Sequence, residues 1–452
     1  MKTNYFVIAA LAATTLFASC NKDNNRINEN GGQATSMKVS ISFPSPATRG
    51  TLTADPNATN EEVEIRNVDI FIYTASGAFS SHEHLLGSAF TWQGANATPD
   101  ADVYTTTTKI ATTTGSKSVY VGINLPAGLA ASLEDKPASE LATAVKNLTA
   151  QQLTNAPAFT MFSTVGVTRT FEADENAAAN KITVKCQRLV AKVTVETKNG
   201  YTTDGVPAGT LGNLQYVLYN VNKKMYLLQG TPEARKDPNW DAAGYDNLTY
   251  AGDFENMSNW ASILSSTNFA TPEDYQTAGV VRYATENTSE RKFKKEITRV
   301  LVSGTFIPAK LTQSDGAGGF LQITNPNIST NTVVSFWAVT PSPVEGSYFF
   351  STEAGAQAFA TSKGMPTTSE YVLFYNNGLC YWDIFLDKVS GANRWDVLRN
   401  DYYKCTINSI KALGRPGTDL PDPNVTPDTE TKIDVTIEVL FWVLKAADYD
   451  LE

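Results

Sequence analysis

The strongest alternation of apolar and polar positions in the chain comes near its end. Ile433, Val435, Ile437, Val439, Phe441 and Val443 recur at every second residue, with Asp434, Thr436 and Glu438 between them. Side chains alternate across a strand, so this pattern predicts a half-buried β-strand. From Leu440 the second face also turns apolar, through Leu440, Trp442 and Leu444, and the strand then needs cover on both sides. It follows a Pro- and Asp-rich stretch, Arg415 to Pro427, which is unsuited to a sheet interior and reads as a stiff tether.

The same pattern occurs once near the start. Met37, Val39, Ile41 and Phe43 alternate with Lys38, Ser40 and Ser42. The loop Pro44 to Gly50 follows, and its Arg49-Gly50 bond is an open, trypsin-like cleavage sequence. Between these two strands, short apolar runs are separated by Gly-, Pro- and Asn-rich turns. They include Val68–Tyr73, Ser118–Asn124, Arg299–Phe306, Thr332–Val339, Tyr371–Tyr375, Leu379–Trp382 and Tyr403–Ile410. This density of short strands predicts β-sandwiches. Leu214–Tyr219 and Lys224–Gln229 bracket a turn and predict a hairpin. Leu141, Val145 and Leu148 share one helical face and predict a helix over Glu140–Leu148. The run Lys181 to Glu196 is long for one strand, so a domain boundary is placed near Arg188.

Composition narrows the function. Of 452 residues, 42% are hydrophobic and 18% charged, enough apolar material for packed cores. The net charge of −10 disfavours sequence-independent nucleic-acid binding, which needs Lys and Arg to displace counterions. The chain has two histidines, a small supply for acid–base or zinc chemistry. They stand together as His82-Glu83-His84, with no third ligand cluster in the sequence, so no metal and no cofactor is expected. No phosphate-binding glycine loop or nucleophile elbow is present, and no enzymatic activity is expected. The basic run Arg291–Lys295 is flanked by Glu286, Glu290 and Glu296 and reads as a solvated loop. Cys186, Cys380 and Cys405 read as three small buried thiols, with a Cys380–Cys405 disulfide as the alternative. Trp240 and Trp260 sit in Asn- and Asp-rich loops, where aromatics either pack a loop or stack on sugar rings.

The N-terminus carries an export signal. Lys2, the apolar run from Tyr5 and the small residues Ala18-Ser19 before Cys20 resemble a bacterial lipoprotein signal, with Phe17 where Leu is usual. On that reading Cys20 is the lipidated residue and the membrane is met through that lipid alone; the alternative is an ordinary secretory signal with a chance cysteine.

Several of these stretches occur in a familiar order. Ala47-Thr48-Arg49-Gly50, Arg188-Leu189-Val190-Ala191-Lys192-Val193, Asn222 to Gln229, Arg399 to Ile407, and Trp442 followed by Tyr449-Asp450-Leu451 together resemble the fimbrillins of Bacteroidales, the type V pilins, closest to the shaft subunit of the minor fimbrium. The likeness spans nearly the whole chain, although the loops within residues 50–180 and 230–290 match poorly. The resemblance implies an all-β fold of two tandem transthyretin-like β-sandwiches with few short helices. Its parts would be a signal peptide at 1–20, a propeptide with the first strand at 21–49, an N-terminal domain at 50–188, a C-terminal domain at 189–414, and the tether with a donor strand at 415–452.

It further implies an outer-membrane lipoprotein precursor, cut after Arg49 by an arginine-specific protease. The strand holding Met37, Val39, Ile41 and Phe43 would leave, and Ile433, Val435, Ile437, Val439, Phe441 and Trp442 of a neighbouring subunit would fill its place. Partners would be identical subunits joined head to tail, together with anchor and tip proteins, on a cell-surface fimbrium that supports adhesion. The last strand is accordingly expected not to fold back on its own domain, and the tether to act as a hinge. An anchor or tip subunit of the same system, or a surface carbohydrate-binding lipoprotein, are the alternatives.

Overall fold

In a computed structural model, the structure describes residues 32–43, 62, 64–95, 102–154, 158–229, 236–240, 254–255, 276–277, 281–387, 394–417, 422–427 and 432–442. Strands dominate and helices are few and short, as expected of an all-β sandwich fold.

The first half comprises β1 (Ala34–Ser42), β2 (Asn67–Thr74), β3 (Phe79–Leu86), β4 (Phe90–Ala95), β5 (Asp102–Thr106), β6 (Ile110–Thr113), β7 (Gly115–Ile123), β8 (Met161–Ser163), β9 (Val167–Phe171) and β10 (Lys181–Arg188). They form one sheet in the order β3-β2-β7-β8-β10-β1-β5-β4, with β9 on β7 and β6 on β1. The near-continuous apolar run of β2 matches cover on both of its faces: Val68, Ile70 and Ile72 on one and Phe71 and Tyr73 on the other are all fully buried, while β3 and β7 pair its two edges.

The second half contributes β11 (Val190–Thr202), β12 (Gly209–Tyr219), β13 (Val281–Thr285), β14 (Arg299–Pro308), β15 (Leu379–Phe385), β16 (Asp401–Ile410) and β17 (Ile433–Phe441). One sheet runs β13-β11-β16-β17, and the other places Gln276–Thr277, β12, β14 and β15 side by side. The long run from Lys181 divides at Leu189, so β10 belongs to the first sheet and β11 to the second. A smaller three-stranded sheet (Phe336–Val339, Tyr348–Phe350, Val372–Tyr375) packs against the helix Glu353–Ser362, capped by the Thr352 side chain. The sequence reading missed that helix, although Thr352 followed by Glu353 is a helix-start signal.

Two local expectations fail for one reason. The helix over Glu140–Leu148 lasts only from Glu140 to Thr143, and Val145 is 46% exposed. The hairpin around residues 220–223 does not form. Instead Lys146–Asn147 pair with Lys224–Met225, and the Leu148 amide donates to the Lys223 carbonyl. A contact between the two halves therefore overrides both local preferences. Asn220, at a φ of 58°, turns the chain there, and its side chain donates to the carbonyls of Lys295 and Ile297. Cys186, Cys380 and Cys405 are free thiols buried in three different strands, so no Cys380–Cys405 bridge forms; burial pushes the Cys405 thiol up to about 12.

Candidate functional site

β1 fills a slot with neighbours on both sides. It runs parallel to β10 from Lys38 opposite Lys181 to Ser42 opposite Lys185. It runs antiparallel to β6 through Ala34–Met37, and to β5 through Ser40–Ser42. Polar groups fix the register. The Val39 amide donates to Thr106 Oγ1 at 3.1 Å, the Ser40 and Thr105 hydroxyls meet at 2.7 Å, and Asn180 Nδ2 donates to the Ser36 carbonyl at 2.9 Å. The apolar row faces inward: Met37, Val39 and Ile41 are 0% exposed and Phe43 5%, with the Phe43 ring edge-on to Tyr104. At about 1.5–3 kcal/mol per buried side chain, these four residues contribute roughly 6–12 kcal/mol, an upper bound. Removing β1 would also leave β10 and β5 with unpaired edges, which are templates for another strand.

β17 carries the same alternation in a different setting. Among the described residues it pairs antiparallel with β16 alone, from Ile433 opposite Ile410 to Phe441 opposite Asp401. This corrects the expectation that the last strand stays off its own domain. In the isolated chain the free edge of β16 and the backbone groups of β17 satisfy each other. Cover is incomplete, however. Ile433 and Trp442 are buried, whereas Val435, Ile437, Val439 and Leu440 are only half-buried. β17 is an edge strand among the described residues, and a cleft separates it from β15, lined by Ile384, Phe385, Trp395, Val435 and Ile437. The tether is also held in place. The amides of Lys294 and Lys295 donate to the carbonyls of Val425 and Pro423, so its described part is pinned and does not hang as a free hinge.

That contact also assigns the basic run. Arg291 pairs with Glu296 and Lys292 with Asp396, so the run is an internal brace and not the solvated loop expected. Trp240 is half-buried, with Lys236 Nζ 3.6 Å from its ring centroid and its carbonyl accepting from the Glu290 amide, which packs a loop. Cys20, Arg49, Gly50 and Trp260 lie outside the described residues, as do Val443 and Leu444.

His82 and His84 lie on one face of β3 and share one oxygen of Asp69, at 2.9 and 2.8 Å. His82 also meets Glu134 through its other ring nitrogen at 3.0 Å, and its ring stacks on Phe71. An imidazole with a carboxylate at each nitrogen must donate from both and is favoured as the cation. Burial opposes that charge, but the bonds and charges of Asp69 and Glu134 outweigh it and hold the His82 pKa above the ordinary imidazole value. Burial likewise opposes the Asp69 charge, and the two histidines outweigh it and hold its pKa low. The signs define a window. The raised His82 stabilises the fold below its unfolded pKa of about 6.5 and loses that effect as pH rises through the higher folded value. The lowered Asp69 stabilises above its unfolded value of 3.8 and loses that effect as pH falls through the folded one. Thermal melts from pH 6 to 8.5 should therefore show a midpoint falling by a few degrees, and His82→Gln should flatten the slope; an equal slope in the variant would remove His82 as its source. Among the described residues, no group of three or more His, Cys, Asp or Glu side chains is arranged to hold a metal.

A cluster that the sequence reading did not foresee stands where β17 ends: Arg188 and Lys192 were noted only as part of the junction between the two halves, and Glu62 and Tyr283 not at all. Glu62, Arg188, Lys192 and Tyr283 surround Trp442. Their signal in the sequence is the placing of Arg188 and Lys192 on either side of the apolar Leu189-Val190-Ala191.

Comparison with known proteins bears on both ends of the chain. Residues 36–215 match the family described as major fimbrial subunit protein (FimA). Residues 373–448 match major fimbrial subunit protein type IV, fimbrillin, C-terminal; together the two models span more than half the chain. No curated protein matches. Among solved structures, a fimbrilin from Porphyromonas gingivalis W83 is 14% identical, covering 91% of this chain and 98% of that one, with a TM-score of 0.47. The tip fimbrial protein Mfa3 of Porphyromonas gingivalis, with a C-terminal truncation, is 13% identical, covering 90% and 100%, at 0.37. A fimbrial assembly protein from Parabacteroides distasonis ATCC 8503 is 12% identical, covering 90% and 100%, at 0.36.

Proposed function

The chain belongs to the fimbrillin family and is a structural, non-enzymatic subunit of a cell-surface fimbrium; from that premise we propose that it forms the shaft by donor-strand exchange. The precursor is exported as an outer-membrane lipoprotein with its lipid on Cys20. An arginine-specific protease cuts between Arg49 and Gly50, and β1 leaves with the propeptide. β17 of the next subunit then enters the vacated slot, and repetition gives a head-to-tail polymer supporting adhesion.

One observation carries this reading: the two strands with matched alternation are buried to different depths. Met37, Val39 and Ile41 are fully covered, whereas Val435, Ile437 and Val439 are half-covered. Transfer of β17 into a vacated slot would complete the burial of its apolar row and repair two sheet edges, so exchange is downhill once β1 has gone. The intact slot would keep uncut subunits apart, since β1 already pairs with the edges of β10 and β5 that a donor would need.

The decisive experiment combines end-group analysis with one substitution. Surface fimbriae should begin at Gly50, and Arg49→Ala should leave lipidated chains that form no fibres. Undiminished polymer from Arg49→Ala would overturn the maturation step. A blocked Cys20 at the end of surface material would instead identify an anchor subunit.

A further inference from the structure

Trp442 is the largest apolar side chain at the end of β17, and it is 1% exposed although the strand before it is half-covered. Its indole Nε1–H donates to Glu62 Oε2 at 3.0 Å. Its carbonyl accepts from an Arg188 guanidinium nitrogen at 2.9 Å, and the same guanidinium lies 4.2 Å over the ring. Tyr283 stacks on the indole and Phe159 meets it edge-on. The Glu62 carboxylate is shared: Lys192 Nζ lies 3.2 Å away and the Tyr283 hydroxyl donates to it at 2.8 Å. Glu62, Arg188 and Lys192 are 0%, 2% and 3% exposed.

These residues come from distant parts of the chain. Glu62 and Phe159 flank strands of the first sheet, Arg188 ends β10, and Lys192 and Tyr283 belong to the second sandwich. Trp442 is therefore tied to groups that β17 does not pair with. Withdrawing it would take a donor from a buried carboxylate and a ring face and carbonyl from a buried guanidinium, and buried charges are costly to leave short of partners. Along the ladder itself, Val435, Ile437, Val439 and Leu440 are only half-buried, so of the described side chains Trp442 is the most deeply held at this end of the strand.

We propose that Trp442 is an autoinhibitory latch: closed on Glu62 and Arg188, it holds the last strand on its own subunit and limits the rate at which that strand becomes available to another. The inference rests on the strand-exchange reading for its purpose, but the latch is measurable in the monomer. Glu62 is the positioning residue, since its carboxylate fixes the indole and neutralises the cations beneath it. The latch complements the filled slot. One keeps the acceptor closed and the other keeps the donor at home.

Hydrogen–deuterium exchange on the uncut, full-length monomer tests it. Trp442→Phe keeps an aromatic ring against Tyr283 and removes the N–H. Amides of residues 433–441 should then exchange about tenfold faster or more, the effect of losing one hydrogen bond to a charged group, while β14 and β10 keep wild-type rates. Glu62→Gln should act in the same direction. Unchanged exchange at 433–441, or an equal rise in every strand, would overturn the latch. After cleavage, Glu62→Gln chains, whose donor strand is unaltered, should ladder faster on native gels; a wild-type rate would overturn the rate-limiting role. Deletion of residues 433–452 separates the two ideas: a persisting ladder refutes strand exchange, whereas the exchange data in the monomer still decide the latch.

Discussion

Ile437→Asp is expected to leave a folded monomer that does not polymerise. In the monomer Ile437 is half-buried and borders the cleft between β15 and β17, where a carboxylate can remain hydrated. The cost there is about 1 kcal/mol, ordinary for a partly exposed site. In the slot of a neighbouring subunit the same position would take the place of a β1 side chain such as Val39 or Ile41, each 0% exposed. An unpaired carboxylate in that environment costs several kcal/mol, enough to reverse the gain from completing burial. Cleaved Ile437→Asp chains should run as monomers on native gels with a melting point close to wild type. Long ladders from this variant would remove β17 as the donor.

Ile41→Asp should do the reverse. Here the carboxylate enters a fully buried row in a strand bonded on both sides, so the precursor should lose about 4 kcal/mol or more, read as a lower denaturant midpoint. Yet the substitution lies upstream of Arg49, so any fibre that forms should be built from chains identical to wild type. Mass spectrometry of fimbriae should find no peptide containing residue 41. A fibre carrying the substituted peptide would show that β1 stays in the mature subunit. Two charges placed in two matched strands thus have opposite consequences, one for the precursor and one for the polymer, and this asymmetry separates strand exchange from a merely structural role for either strand.

Much of this was legible before any coordinates. Period-two alternation is a local property, so β1, β2, β14, β15, β16 and β17 could be read from their own residues, with ends shifted by a few positions. The filling of the slot was not legible. β1 pairs with β10, whose Lys181 lies directly opposite Lys38 although most of the first half of the chain separates them in sequence, and nothing in either segment names the other. Glu62 gave no signal at all; its role comes from the distant groups around it, Lys192, Tyr283 and Trp442.

The errors have the same origin. Glu140–Leu148 has a helical face, and Leu214–Gln229 has the look of a hairpin, yet Lys146–Asn147 and Lys224–Met225 found each other instead. Local preferences are worth tenths of a kcal/mol per residue, and a single packed, hydrogen-bonded contact outweighs them.

The sequence by itself determined that this is a β protein with two strands of matched alternation, because side-chain alternation depends only on the order of residues. Only the tertiary structure decided where those strands lie. The first is sealed between its neighbours, and the last is folded onto its own domain with Trp442 buried against Glu62, Arg188 and Tyr283. Pairing and burial depend on which distant edges are open, and that is settled by the whole chain folding at once.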